Sequence, residues 1–230
     1  MSGQRHLLVL RDLVFSYTTD GSPPLFEGLN FEIAQGEKVL LVGPNGSGKT
    51  TLLNLLAGLL ESYHPRYQAF WAGKPVRLQE IRPEIAYAPD EDYLFDELTA
   101  EEHIEVFRAL WTVQPTYRSD VLDLLRRFGL DEITKPVERY SRGMRRKLFL
   151  ALILARRASL YLLDEPFNAL DQESIEALIS FIEASPGACV LVAHRPPEAL
   201  RMDRVIDIRT FVRSDASSAR EHAWEGDRAS

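Results

Sequence analysis

Short apolar runs of strand length open the chain. Residues Leu7–Tyr17 and Leu29–Ile33 cluster or alternate apolar positions, and the turn-rich stretch Asp20–Pro24 joins them. We expect these two runs to form antiparallel strands. The short run Lys38–Val42 is typical of a strand buried inside a parallel sheet, because both faces of such a strand must be apolar.

Longer amphipathic segments predict helices between further apolar runs. A capping box at Thr99-Ala-Glu-Glu102 starts one helix, Gly129 can end another, and Ser141 can cap a third. The predicted helices are Thr50–Leu60, Thr99–Trp111, Asp120–Phe128, Ser141–Ala155 and Asp171–Ala184. The remaining predicted strands are Glu84–Ala88, Leu160–Leu163 and Ala188–Ala193.

Strands that alternate with helices imply βαβ units and a parallel sheet. We therefore predict an α/β fold with a parallel sheet core, an antiparallel β subdomain and an α-helical subdomain at about residues 95–142. All three parts belong to one domain that spans residues 1–212. Residues 213–230 are small and polar, and we expect a flexible C-terminal tail.

Composition restricts the class of protein. The 230 residues are 45% hydrophobic, which is enough for a sizeable core, and the net charge of −7 argues against a general nucleic-acid binder. Cys189 is the only cysteine, so no internal disulfide can form, which fits a reducing compartment. No signal peptide is apparent, and no apolar run approaches the roughly 20 residues needed to span a bilayer. We expect a soluble chain.

A phosphate-binding loop is the strongest motif in the chain. Gly43-Pro44-Asn45-Gly46-Ser47-Gly48-Lys49-Thr50 matches G-x-x-x-x-G-K-[ST] in full, between a predicted strand and a predicted helix. The glycines let the backbone N–H groups converge on a phosphate, and the helix N-terminus adds a positive dipole end. Lys49 would contact the β- and γ-phosphates, and the Thr50 hydroxyl would ligate Mg²⁺.

Two carboxylates end a predicted strand that follows this loop. Asp164 suits an acid that reaches Mg²⁺, and Glu165 can act as the general base or position the attacking water. Two acids can also simply begin a loop, but their distance from the phosphate loop along the chain favours a role in hydrolysis. His194 ends the next predicted strand and would face the same crevice, where it can orient the water.

The segment Tyr140-Ser141-Arg142-Gly143-Met144, together with these motifs, resembles the signature of ATP-binding-cassette (ABC) nucleotide-binding domains. The family signature reads Leu-Ser-Gly-Gly-Gln, so Ser141 and Gly143 match it while Tyr140, Arg142 and Met144 depart from it. These departures look more like those of bacterial exporters than of importers. The resemblance covers about residues 7–210 and implies the P-loop NTPase core of the ABC ATPase fold.

The resemblance also implies roles for further residues. Tyr17 is similar to the aromatic side chain that stacks on adenine, although it can equally be an ordinary strand residue. Thr51 lies beside the phosphate loop among the ATP-binding residues. Asn168-Ala-Leu-Asp171 looks like the family's D-loop, and His194 looks like its switch histidine. In the family two domains sandwich two ATP molecules head to tail, so Ser141, Arg142, Gly143 and Met144 would act on the partner's ATP.

Two segments allow a second interpretation. The family usually has a glutamine near Mg²⁺ after the strand that corresponds to Glu84–Ala88, and Asp90 stands there instead, which puts its metal contact in doubt. The acidic cluster Asp90–Asp92 can equally be a solvated loop. Within the basic run Arg142–Lys147, we expect Arg145 and Arg146 to lie on a solvated helix face.

The resemblance implies the ATP-binding and hydrolysing subunit of an ABC transporter, with ATP and Mg²⁺ as cofactors. The chain would pair with a copy of itself or with a related domain. It would also bind a separate transmembrane permease and so lie at the inner face of the cell membrane. Export is slightly favoured. Segments Phe70–Pro75 and Asp164–Asp171 are also faintly similar to cassettes of cytochrome-maturation or haem-handling exporters. The alternative is a soluble ABC ATPase of an assembly or repair machine, for example in iron–sulfur cluster assembly.

Overall fold

The structure is a computed structural model that describes residues 6–20 and 22–211. Over those residues the chain forms nine strands: β1 (His6–Phe15), β2 (Phe26–Ala34), β3 (Lys38–Val42), β4 (Arg66–Trp71), β5 (Lys74–Val76), β6 (Ile85–Ala88), β7 (Leu160–Asp164), β8 (Ala188–Val192) and β9 (Arg204–Asp207). The same residues form five α-helices: α1 (Lys49–Leu56), α2 (Ala100–Leu110), α3 (Tyr117–Arg127), α4 (Arg142–Leu154) and α5 (Gln172–Ala184). Gly21 of the predicted turn and the predicted tail 213–230 lie outside the described residues.

Five strands form a parallel sheet in the order β6-β7-β8-β3-β9. Strand β3 pairs with β8 on one side and with β9 on the other, and all the pairings in this sheet are parallel. Strands β7 and β8 are buried along their whole length, as expected for strands covered on both faces. The predicted α/β class with a parallel core is therefore confirmed.

The other four strands form an antiparallel sheet in the order β2-β1-β4-β5. The antiparallel pairing of β1 with β2 was predicted, whereas the hairpin of β4 and β5 was not. Strand β4 buries only Ala69, so its sequence carries no clear alternation between apolar and polar positions. Strand β9 was also missed, because this edge strand is polar at both ends and leaves Val205 exposed.

Two clusters of apolar side chains cover the two faces of the parallel sheet. On one face Leu41 and Val190 pack with α1 and the antiparallel sheet. On the other face Leu163 and Leu191 pack with residues of α2, α3, α4 and α5. The carboxyl ends of β3, β7 and β8 are thus held firmly between two cores, and the loops that follow these strands meet at one edge of the sheet.

The helix caps were predicted better than the helix lengths. The Thr99 hydroxyl caps α2 in a full capping box, and the Ser141 hydroxyl caps α4. Helix α1 ends at Leu56 rather than at the predicted Leu60, because the chain turns through Gly58, whose φ is +69°. Helix α3 starts at Tyr117 rather than at the predicted Asp120.

Helices α2 and α3 fill most of the segment that was predicted to be a helical subdomain. Within the described residues of this segment, extended backbone pairs only in an isolated bridge between Thr99 and Pro136. The boundaries of the subdomain and of the single domain stay predictions. Among the described residues, no helix is both long enough and apolar enough to cross a membrane.

Candidate functional site

The loop Gly43–Thr50 leaves the carboxyl end of β3 and leads directly into α1. Gly48 caps the helix with a φ of +96°, and a Cβ atom there would lie 3.0 Å from Cζ of Phe26. A side chain at this position would therefore be strained and crowded. The loop brings the N-terminus of α1 to the edge of the sheet, where backbone N–H groups and the helix dipole favour an anion.

The Lys49 ammonium folds back over this loop. Its Nζ donates hydrogen bonds of 2.9 Å to the carbonyl oxygens of Gly43 and of Pro44. The Ser47 hydroxyl donates a 2.7 Å bond to the same Pro44 carbonyl. The loop is thus closed on itself, with a buried cation at its centre that could turn to an incoming phosphate.

Asp164 lies at the end of β7, directly opposite the start of α1. Its Oδ2 accepts a 2.6 Å hydrogen bond from Oγ1 of Thr50. Burial raises the pKa of the Asp164 carboxyl, and the nearby Glu165 and Asp90 raise it further, while the Thr50 bond and Lys49 lower it. A hydroxyl and a buried carboxylate at contact distance form the oxygen donor set that suits Mg²⁺.

Glu165 follows in an unusual backbone conformation, with a φ of +46°. Its N–H donates a 2.9 Å bond to the Val192 carbonyl at the end of β8. Its carboxylate Oε2 accepts a 3.1 Å bond from the backbone N–H of His194. The His194 ring contacts Oδ1 of Asn45 through Nε2, so the histidine connects the phosphate loop to Glu165.

Asp90 enters the site from the loop after β6. Its Oδ1 accepts a 3.0 Å hydrogen bond from the Asn168 amide. Asp90 and Asp164 line the same cleft, and the charge of the Asp90 carboxylate raises the pKa of Asp164. The structure thus brings Asp90 to the site that the resemblance suggested.

Tyr17 lies beside α1 and is 47% exposed. Its hydroxyl is 3.1 Å from Oγ1 of Thr51 on α1. Its ring makes edge-to-face contacts with Phe15 at 4.8 Å and with Tyr63 at 5.3 Å between centroids. An exposed ring held in this way offers a flat surface to a nucleotide base.

These groups surround one cleft of ≈ 1010 Å³. Its lining includes most of the predicted ATP, metal and catalytic residues: Tyr17, Asn45, Gly46, Gly48, Lys49, Thr50, Thr51, Asp90, Asp164, Glu165 and His194. Asn168 lines it too and was assigned only to the D-loop. Gly43, Pro44 and Ser47 lie within the same loop, although their atoms are not part of the lining.

The predicted signature residues lie elsewhere among the described residues. None of Ser141, Arg142, Gly143 and Met144 lines the cleft. Ser141 caps α4 by accepting a 3.2 Å bond from the Met144 N–H. A Cβ atom on Gly143 would lie 2.7 Å from the Ala169 carbonyl oxygen, so only glycine fits where α4 meets the D-loop segment.

Asp171 also lies outside the cleft lining and caps α5. Its carboxylate accepts bonds from the Lys147 ammonium and from the Ser174 N–H. Lys147 is the larger cause and Ser174 the next, and together they lower the pKa of Asp171 to about 2. The carboxylate therefore stays ionised and fixes the D-loop segment against α4.

The expectation that Arg145 and Arg146 lie on a solvated helix face was wrong for Arg146. The side chain of Arg146 is only 2% exposed, and that of Arg145 is 27% exposed and pairs with Asp96. Helical periodicity carried the missed signal, because Arg146 stands three and seven residues before the buried Phe149 and Ile153.

The family model described as "ABC transporter" matches residues 26–168. A protein of Nitrosococcus oceani named cytochrome c biogenesis ATP-binding export protein CcmA is 39% identical over 76% of this chain and 81% of its own. A protein of the same name from Cupriavidus pinatubonensis is 33% identical over 82% of this chain and 84% of its own.

Solved structures agree with these relatives. A structure described as the ATP-binding subunit of an ABC transporter superimposes with a TM-score of 0.72 at 30% identity. The match covers 82% of this chain and 79% of that one. The expected ABC ATPase fold is confirmed by this likeness.

Proposed function

The chain belongs to the ABC transporter family, whose ATP-binding members are ATPases, and we propose that it is the ATP-hydrolysing subunit of an exporter. The observation that carries this proposal is the 2.6 Å contact between Thr50 and Asp164. It joins the phosphate loop to the end of β7 inside a cleft that also holds Lys49 and Glu165. ATP binding follows from the family, whereas the individual roles below are proposals.

In the proposed ATP complex, Lys49 exchanges its two carbonyl bonds for the β- and γ-phosphates. The N–H groups of the phosphate loop surround the β-phosphate, and the Tyr17 ring stacks on adenine. Thr50 and Asp164 would hold Mg²⁺, which neutralises phosphate charge when it is bound. Two protein oxygens and the phosphates are a typical environment for this ion, so the donor set fits it.

For hydrolysis, Glu165 is proposed to accept a proton from the attacking water or to orient that water. The bond from the His194 N–H holds one oxygen of the carboxylate, which leaves the other oxygen for the water. The His194 ring would orient the γ-phosphate and the water from the opposite side, in place of its contact with Asn45. Asp90 would act on Asp164 through its charge, and we do not assign it a metal bond.

A second ATP-binding domain is proposed to complete each site. The signature residues Ser141, Arg142, Gly143 and Met144 lie at the N-terminus of α4 and outside this chain's own cleft. In a head-to-tail dimer they would meet the γ-phosphate held by the partner's phosphate loop, as the family resemblance implies. Asp171 would lie beside the same interface. ATP then joins the two domains and hydrolysis separates them.

The transmembrane part is proposed to be a separate chain, which this chain binds at the inner face of the cell membrane. A groove of ≈ 610 Å³ lies between the sheet and α2, and Asp90 and Asp164 form part of both this groove and the ATP cleft. Its other lining residues include Tyr93 and Leu59, which are 64% and 50% exposed. We propose that an apolar segment of the permease docks there.

The names of the relatives support a proposal for the cellular process that the exporter serves. Both relatives named above carry the name of a cytochrome c biogenesis export protein, and this chain matches most of their length. We propose that the chain serves an exporter of that same process. The alternative of a soluble assembly or repair ATPase is not favoured by these names.

The test is to recover the tagged full chain from native membranes in a mild detergent and to identify the proteins that copurify with it. The proposal predicts a stoichiometric polytopic membrane protein that stimulates or restrains the ATPase activity of the chain. Recovery of soluble partners only, from a detergent that preserves such complexes, would contradict the transporter role. If the wild-type chain hydrolyses no ATP in the presence of its partner, that result would contradict the ATPase role.

A further inference from the structure

Among the described residues, Arg146 is the largest fully buried side chain, and it carries a charge. It stands in the first turns of α4, within the basic run that follows the signature residues. Its guanidinium makes five hydrogen bonds, and four of the five acceptors are backbone carbonyls. Within the described part of the chain, the carboxylate of Asp92 is the one that pairs with this charge.

One end of the guanidinium holds the loop after β6. Nη1 donates to the carbonyls of Pro89 at 2.8 Å and of Asp90 at 3.2 Å, and to Oδ1 of Asp92 at 2.8 Å. This loop carries Asp90 into the ATP cleft and also lines the groove proposed for the permease. Arg146 therefore fixes the backbone on which Asp90 is mounted.

The other end holds the backbone of the two acids at the end of β7. Nη2 donates to the carbonyls of Asp164 at 3.0 Å and of Glu165 at 3.1 Å. Glu165 has a φ of +46°, in a region that residues with a side chain rarely adopt. A backbone of this kind persists only where several contacts hold it. Here these contacts are the two hydrogen bonds from Nη2 and the hydrogen bond that the Glu165 N–H donates to the Val192 carbonyl.

The planar fork of arginine is what allows one side chain to serve both segments. Its two terminal nitrogens point in fixed directions, and each one takes acceptors from a different loop. A lysine ammonium is a single point with three donors and cannot reach both sets of carbonyls at these distances. A merely apolar side chain would leave Asp92 and four carbonyls without this donor.

We propose that Arg146 is a positioning residue for ATP hydrolysis, which holds the Asp164–Glu165 backbone and the loop 89–92 in one fixed arrangement. Arg146 does not line the ATP cleft, and it acts through Glu165. The inference rests on the proposed role of Glu165 in hydrolysis. Because the phosphate loop makes no hydrogen bond with Arg146 among those described, nucleotide affinity depends much less on this residue than turnover does.

The test compares Arg146→Lys and Arg146→Met with the matched changes at Arg145, which stands next to it and forms one ion pair with Asp96. For each full-length variant we would measure kcat, the Kd of ATP and the thermal unfolding curve. We expect kcat of both Arg146 variants to fall by about 10- to 100-fold, since small misplacements of a reacting group have effects of this size. The Kd should stay within about threefold of the wild-type value, and the Arg145 variants should keep wild-type turnover.

Each outcome decides the question. A folded Arg146→Lys protein that keeps kcat within about twofold of wild type, or that loses kcat and affinity by the same factor, overturns the proposal. Failure of both Arg146 variants to fold also overturns it, because the residue is then structural only. If only Arg146→Met fails to fold, the kcat and the ATP Kd of Arg146→Lys decide the question. The wild-type chain and Glu165→Gln are assayed first, since their results test the proposed function independently of Arg146.

Discussion

The Thr50 hydroxyl donates a hydrogen bond of 2.6 Å to Oδ2 of Asp164, which joins the first turn of α1 to the end of β7. The two residues are 114 positions apart in the sequence. This bond lowers the pKa of a carboxyl that burial otherwise raises. Burial still dominates, so the pKa of Asp164 is raised overall, and the Thr50 bond opposes that shift where two different parts of the parallel sheet meet.

We expect Thr50→Val to weaken the binding of the Mg²⁺ that supports ATP hydrolysis. The change removes one oxygen ligand and also leaves the Asp164 carboxylate without its donor, which favours the protonated acid. The Mg²⁺ concentration that gives half-maximal ATPase activity should rise by about 10-fold or more. Thr116→Val removes an exposed hydroxyl far from the cleft and should leave this concentration unchanged. An unchanged Mg²⁺ requirement in Thr50→Val would show that Thr50 is not a ligand.

We expect Glu165→Gln to abolish turnover while ATP remains bound. The amide keeps the size of the side chain but cannot accept a proton, and removal of such a group typically costs about 10²- to 10⁴-fold in rate. Size-exclusion chromatography with ATP should then show a dimer that persists, because hydrolysis no longer separates the two domains. Glu183→Gln, an exposed acid on α5, is the matched control. Undiminished hydrolysis by Glu165→Gln would remove Glu165 from the mechanism.

Much of this site could be read from the sequence, because its parts depend on local chemistry. The phosphate loop is a contiguous motif, and Asp164 and Glu165 directly follow an apolar strand. Parallel strands place their carboxyl ends at one edge of the sheet. The proximity of the phosphate loop to Asp164 and Glu165 therefore also follows from the alternation of strands and helices. Caps such as Thr99 and Ser141 are equally local, which is why they were predicted correctly.

The features that the sequence did not predict depend on contacts between distant segments. Arg146 is buried because carbonyls of two separate loops converge on it, and the basic run around it suggested solvent exposure instead. Strands β4 and β9 exist because a neighbouring strand offers them a free edge, while their own residues alternate poorly. The bond between Asn168 and Asp90 likewise joins loops that no short motif connects.

We expect acid to destabilise the fold through His103, which is fully buried in α2. Its Nε2 accepts a 2.9 Å bond from the Phe95 N–H, so Nδ1 carries the proton and donates to the Thr99 carbonyl at 2.8 Å. Burial is the main cause that lowers the pKa of this imidazole below its usual 6.5. The unfolded chain therefore binds more protons than the folded one, and stability falls as pH drops below about 6.5 toward the folded value.

Urea unfolding at pH 7.5 and at pH 5.5 measures this effect. The free energy of unfolding of His103→Gln should change less between the two pH values than that of the wild type, because glutamine offers a donor and an acceptor but does not titrate. His64→Gln replaces an exposed imidazole and serves as the control. Equal pH dependence in the His103 variant and the wild type would show that His103 does not control acid stability.

We expect two impaired variants to restore activity to each other, because each ATP site is proposed to take residues from two chains. Lys49→Ala should bind ATP about 10- to 100-fold more weakly, since it loses a charge-assisted contact with the phosphates. Arg142→Glu places a negative charge at the exposed N-terminus of α4, where it would face the partner's γ-phosphate and slow turnover by about 10-fold or more. Arg139→Glu makes the same charge change at an exposed position just before this segment and is the control.

Mixing the two variants tests whether the site is shared. In an equal mixture about half of the dimers contain one copy of each variant, and each of these has one intact site and one doubly altered site. Turnover should therefore recover toward about a quarter of the wild-type value if the two sites work independently. If both groups acted within one chain, every site would keep one defect, and mixing would restore nothing. Recovery on mixing thus separates a shared site from a self-contained one without knowledge of the permease or the cargo.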